Sequence, residues 1–320
     1  MSKKKTYCDV NFLVKFADKL STQTTPMDEG QLTLYSCWVN LFKFMQTHAD
    51  LYINDKTKFN ELASDNNKLC IRLKKLWAGG QLTIFPYTQI DFSALSDEDL
   101  NAIFLLDDEP FILSKAERNG ILIITPSTFG LHECLYKNNG VPIRINDSIV
   151  TDWSFLRRKA KHNYNAMIIS DLYICKEKQL NLLTILDSLL PQELDVPFQL
   201  SIYTDTPTID VEYQNLLQEC KRMRPKLNIE FTLIKGSSAD FHDRGILTNY
   251  IRIKCGTGFD LFIKDRAGSS RARRTTDVDI DYPYFNTGDV STGSYENILE
   301  DAKRMSRNNL QYGFKINRLL

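Results

Sequence analysis

The stretch Asp240–Asp260, DFHDRGILTNYIRIKCGTGFD, holds the residues whose types and spacing can do chemistry. His242 and Arg244 are two apart, Asn249 follows Arg244 after four residues, and Gly256-Thr257 follows Asn249 after six. On an extended chain residues i and i+2 face the same way, so His242 and Arg244 are expected to project together into one pocket. An imidazole can serve as nucleophile or proton carrier, and a permanently charged guanidinium grips phosphate oxygens in pairs. Thr257 offers a hydroxyl between Gly256 and Gly258, where backbone can approach an anion closely.

This spacing resembles the signature of the phospholipase D superfamily, H-x-K-(x)4-D-(x)6-G-S, with Arg for Lys, Asn for Asp and Thr for Ser. The β-α-β-α-β pattern before it is similar to that family's approach to its motif. It opens with the strand run Met167–Ile174, MIISDLYI, which carries Ser170 and Asp171. The resemblance covers about residues 165–265. It implies a phosphodiesterase in which His242 attacks phosphorus to form a phosphohistidine and Arg244 stabilises the phosphoryl oxygens. Asn249 would orient the site and Thr257 would donate to phosphate. A second histidine must protonate the leaving group, and none of His48, His132 and His162 reproduces the H-x-R pair. The resemblance therefore implies a homodimer with two His242 side chains facing each other, and no metal or other cofactor.

The neighbourhood of the motif is basic. Lys264, Arg266, Arg271, Arg273 and Arg274 follow in a Gly/Ser-rich loop, a cationic segment suited to a nucleic-acid backbone or to the acids Asp277, Asp279 and Asp281 downstream. Lys254, Arg271, Arg273 and Arg274 are expected to bind substrate phosphate, Lys254 on its charge alone because the motif does not include its position. Tyr282, Tyr284 and Phe285 could stack on bases, although their alternation fits packing better.

Forty Lys and Arg balance forty Asp and Glu, so the chain cannot coat nucleic acid indiscriminately. The charge is segregated, however: residues 81–120 carry eight acids and two bases, and residues 241–274 carry eight bases and three acids. Seven widely spaced cysteines with no CxxC point to reduced thiols rather than a disulfide framework or a zinc site. No apolar stretch approaches the length of a membrane span. The expectation is a cytoplasmic protein with no membrane partner.

The elements that must position the motif read as α/β. Residues 1–80 read as a helical region, with apolar residues at helical spacing (Phe12, Leu13, Phe16; Trp38, Leu41, Phe42, Met45) and a stop at Gly79-Gly80. Residues 81–160 read as a small α/β region with strands over 82–87, 102–106 and 121–125. Residues 161–320 read as a phospholipase D-like mixed-sheet domain, with strands over 167–174, 198–204 and 227–234 and helices over 178–190 and 211–223. Arg244–Lys254 and Phe259–Ile263 are expected to form a hairpin joined at Cys255–Gly258.

Two other functions stand beside this one. One is a catalytically degenerate nucleic-acid-binding or regulatory subunit of a bacterial defence or mobile-element system. The other is a metal-dependent nuclease built on Asp107, Asp108 and Glu109 at a strand's carboxyl end, where the plainer reading is a loop that caps the next helix.

Overall fold

A computed structural model describes residues 3–21, 29–65, 67–132, 135, 142–146, 150–160, 162–175, 179–264, 270–285, 289–314 and 317–320. Arg266 lies outside the described residues. The chain divides into two compact units, one of residues 1–139 and 282–292, the other of residues 140–281 and 293–320.

The first unit runs β1 (Lys4–Cys8), α1 (Val10–Ser21), α2 (Glu29–Thr47), β2 (Ala49–Ile53), α3 (Lys56–Ser64), α4 (Lys68–Ala78), β3 (Thr83–Pro86), α5 (Asp97–Leu100), β4 (Ile103–Leu105), α6 (Pro110–Asn119) and β5 (Leu122–Ile124). Its sheet has the order β3-β2-β1-β4-β5, and every pair is parallel. Strands from both expected segments, 1–80 and 81–160, thus hydrogen-bond in one sheet. The helices of the first segment form as expected, but β1 and β2 were hidden within it. Each is only five residues long, and charged or polar side chains interrupt the apolar run. Asp107 ion-pairs with Lys15, and Asp108 accepts the Ser127 N–H at 3.0 Å. Glu109 is the N-cap residue of α6 and makes no side-chain cap bond. Tyr282, Tyr284 and Phe285 are buried; the Lys4 ammonium lies 4.8 Å from the Tyr284 ring centre, and Phe44 packs on Phe285. Packing, not base stacking, is what these rings do here.

The second unit runs β6 (Ile143–Ile145), α7 (Leu156–Lys159), β7 (Ala166–Ser170), α8 (Leu180–Leu189), β8 (Phe198–Thr204), α9 (Ile209–Met223), β9 (Ile229–Lys235), β10 (Gly245–Thr248), β11 (Arg252–Cys255), β12 (Phe262–Lys264), β13 (Ser270–Ala272), β14 (Thr276–Asp281), α10 (Asp289–Asn308) and β15 (Gln311–Gly313). Its eight-stranded sheet has the order β15-β9-β8-β7-β10-β11-β14-β6. β7, β8 and β9 are parallel, as two successive crossovers through α8 and α9 require, and the remaining pairs are antiparallel. β7 and β8 are buried along their whole length, the polar Gln199, Ser201 and Thr204 of β8 included. α8 ends at Leu190, whose extended ψ of 127° is what a following Pro191 demands. α9 carries Asp210 and Glu212 in its first turn and Lys221 and Arg222 in its last, complementing its dipole.

The expected hairpin is corrected. β10 pairs with β11 through a turn at 249–251, where the Thr248 hydroxyl accepts the N–H groups of Tyr250 and Ile251. Cys255–Gly258 is not a hairpin turn but the exit of β11, and Phe262–Lys264 pairs with β13 instead. A polar side chain that closes a tight turn on its own backbone gives no periodicity signal, so Asn249 and Tyr250 read as strand.

Candidate phosphate-binding site

Register brings the site residues together. β10 is antiparallel to β7 with Gly245 opposite Ser170, so the chain entering β10 meets the chain leaving β7. β11 is antiparallel to β10, and its exit lies at the same end of the sheet. Asp171, Arg244 and the loop 256–260 therefore converge beyond the carboxyl ends of the parallel strands, the usual place for sites in α/β sheets. Arg273 and Arg274 follow β13, tied in by the Arg273 N–H to Leu261 carbonyl bond of 2.9 Å.

These segments enclose a pocket of about 330 Å³. Arg244, Arg273 and Arg274 supply three guanidinium groups, Asp171 and Asp260 two carboxylates, and Tyr173, Thr257 and Gly258 the rest of the lining. The carboxylates are already provided with donors. Asp171 is fully buried and accepts the N–H of Tyr173 at 2.8 Å and of Phe259 at 2.7 Å. Burial pushes its carboxyl up, against the pull of those two N–H groups and of Arg244. Asp260 accepts the Asn181 amide at 3.1 Å and lies 3.5 Å from Arg273. Arg244 stacks over the Tyr173 ring at 5.2 Å and forms no ion pair among the described residues. Arg274 donates to the Thr257 carbonyl at 3.1 Å.

Gly258 is the hinge of this arrangement. It has a φ of +82°, and a Cβ there would stand 2.7 Å from Asp171 Oδ2 and 3.0 Å from Arg244 Nη1. Only glycine satisfies both the backbone and the space. Gly256, the motif glycine, has ordinary contacts around a would-be Cβ. The loop is also held from below. Buried Trp153 donates Nε1 to the Phe259 carbonyl and to Asn181 Oδ1, both at 3.1 Å, and Asn181 brackets Phe262 by accepting its N–H and donating to its carbonyl.

His242 stands apart from the pocket. The chain bends at residues 242 and 243, and the strand begins only at Gly245, so the expected same-face alternation with Arg244 does not operate. Its imidazole Nδ1 lies 2.8 Å from Asp301 Oδ1, and its backbone N–H donates to Asp301 Oδ2 at 3.0 Å. Asp301 is buried on α10 and also receives Arg304 at 3.1 Å. The ring itself is 66% exposed.

The other expected residues divide in the same way. Asn249 is fully buried at the far end of β10, where its Oδ1 accepts the N–H groups of Asn165 and Ala166 at 3.0 Å each. It fixes the start of β7, away from the pocket. Thr257, Arg273 and Arg274 line the pocket with Arg244. Lys254 lies 3.4 Å from Asp243, and Arg271 is exposed on β13; neither lines the pocket. Sequence reading missed the roles of Gly258 and Asp260, although both stand in the quoted stretch. It could not have reached Asp301, 59 residues from His242. Among the described residues no three His, Cys, Asp or Glu side chains group to hold a metal, and no helix is long and apolar enough to cross a membrane.

The second unit is thus an α/β domain, its mixed sheet entered through the parallel half and its pocket at the β7–β10 junction. Residues 154–279 match the family model described as the phospholipase D-like domain at the C-terminus of MIT. The chain thus carries a phospholipase D-like domain, and the match includes every residue that lines the pocket. No curated protein matches the chain.

Proposed function

We propose that the phospholipase D-like domain binds nucleic acid by gripping phosphate in the Arg244, Arg273 and Arg274 pocket, without turnover. The observation that carries this reading is the convergence of three guanidinium groups on one pocket that His242 does not line. Guanidinium groups bind phosphate oxygens in pairs, and the charge-assisted bonds need no metal. The protein then serves as a binding or regulatory subunit, the kind of part a defence or mobile-element system would use. The test is the full chain with labelled single- and double-stranded DNA and RNA in EDTA. Binding with intact substrate is expected; cleavage under these conditions contradicts it.

A second reading rests on the His242–Asp301 pair. A buried carboxylate on Nδ1 fixes the ring and leaves Nε2 toward solvent, the posture of a nucleophilic or acid–base histidine. In that reading the protein is a nuclease working through a phosphohistidine, with a second copy of the chain supplying the other His242. EDTA-resistant cleavage lost in His242→Ala would favour it.

A further inference from the structure

We propose that the arginine pocket is selective for a terminal phosphate, a phosphomonoester at the end of a nucleic-acid strand, over the internal phosphodiesters of that strand; this rests on the binding function proposed above. Three features of the pocket lead there.

The first is the direction of approach. Arg244 enters from the chain before β10, Thr257 from the exit of β11, and Arg273 and Arg274 from the chain after β13. Cations and a hydroxyl arriving from three separate segments surround a tetrahedral phosphate on several sides. An internal phosphodiester needs two ester bonds leading out in different directions. A monoester needs one, and offers three terminal oxygens to the surrounding donors instead of two.

The second is charge. A phosphodiester carries a single negative charge, whereas a phosphomonoester carries about −1.5 to −2 near neutral pH. Three guanidinium groups against two carboxylates leave the lining formally positive. Of the two carboxylates, Asp260 is drawn toward Arg273 and Asp171 is turned onto the backbone N–H groups of Tyr173 and Phe259. Neither spends the donors of Arg244, which stacks on Tyr173. Arg244 and Arg274 thus present donors to a ligand, and the ligand that satisfies them is rich in acceptors.

The third is size. A pocket of about 330 Å³ is roughly eleven times a water molecule's share of liquid volume, enough for a phosphate and part of the nucleoside that bears it. It lies at the small end of small-molecule sites, unlike the long groove that tracks a strand backbone. Tyr173, already under Arg244, provides a ring at the pocket wall on which that nucleoside can rest.

The test is equilibrium binding of the full chain, in EDTA, to three single-stranded oligonucleotides of one sequence: 5′-phosphate, 3′-phosphate, and hydroxyl at both ends. At least one phosphorylated form is expected to bind ten times or more tighter than the hydroxyl form. Inorganic phosphate is expected to compete the preference away, and Arg274→Gln to abolish it while the melting temperature stays within a few degrees of wild type. Equal affinity for all three, with Arg244→Gln still weakening all of them, overturns the terminal selectivity and leaves phosphate gripping by the pocket intact. No binding of any oligonucleotide overturns both. A preference that survives both Arg274→Gln and Arg244→Gln places the selectivity elsewhere and overturns the assignment.

Discussion

Asp171 and Gly258 form a single joint: the carboxylate Oδ2 lies 2.7 Å from where a Cβ on Gly258 would stand, and the glycine holds a φ of +82° beside it. The next N–H, that of Phe259, donates to the same oxygen at 2.7 Å. The end of β7 and the exit loop of β11 are thereby fastened at the floor of the arginine pocket.

Gly258→Ala is expected to open that joint. The new methyl must displace Asp171 or Arg244, and the left-handed backbone adds a cost of about 1–2 kcal/mol. Oligonucleotide affinity should fall at least tenfold, read by anisotropy, while the core sheet still unfolds in one transition. Gly256→Ala, where the would-be Cβ meets only the Thr276 hydroxyl at 3.7 Å, should bind as wild type.

Asn181→Ala should destabilise the second unit by about 2–4 kcal/mol, because it orphans the buried N–H of Phe262 and takes one bond from Trp153. Urea unfolding measures this. Asn181→Asp keeps the acceptor but sets a second carboxylate beside Asp260, and should recover little of the loss.

Lys4 gives a pH signature in the first unit. Burial lowers its ammonium from 10.5 to about 7. Between about pH 7 and 10.5 the unfolded chain therefore binds the proton more fully than the folded one, so stability from this group rises with pH. A whole proton's difference is worth about 1.4 kcal/mol per pH unit at most. The unfolding free energy of Lys4→Met minus that of wild type should accordingly shrink as pH goes from 7 to 8.5. A difference that stays flat or grows contradicts the assignment.

What was legible in the sequence follows from what each element needs. β8 could be read to the residue because it is buried on both faces, and a run such as FQLSIYT between Pro197 and Asp205 has few other readings. β1 and β2 could not, because five residues with Lys, Thr or Asp among them look like the flanks of the helices they adjoin. At the pocket, the H-x-R and glycine spacing pointed to the stretch of chain that supplies Arg244, Thr257, Gly258 and Asp260. It assigned His242 and Arg244 to one pocket on the assumption that the chain is extended there. The bend at residues 242 and 243 depends on the Asp301 carboxylate drawing the His242 backbone toward α10, a long-range bond with no local trace. Asn249 matched a motif position, yet two amides of Asn165 and Ala166 claim its side chain at the opposite end of the strand.

Affinity for a labelled single-stranded oligonucleotide in EDTA, compared between wild type, Arg244→Gln and His242→Ala, tests the central claim most directly. If phosphate is gripped by the arginine pocket and not processed at the histidine, Arg244→Gln binds at least ten times more weakly, His242→Ala stays within about threefold of wild type, and the oligonucleotide remains intact throughout. Cleavage by wild type that His242→Ala abolishes, or an Arg244→Gln protein that binds as tightly as wild type, would contradict it.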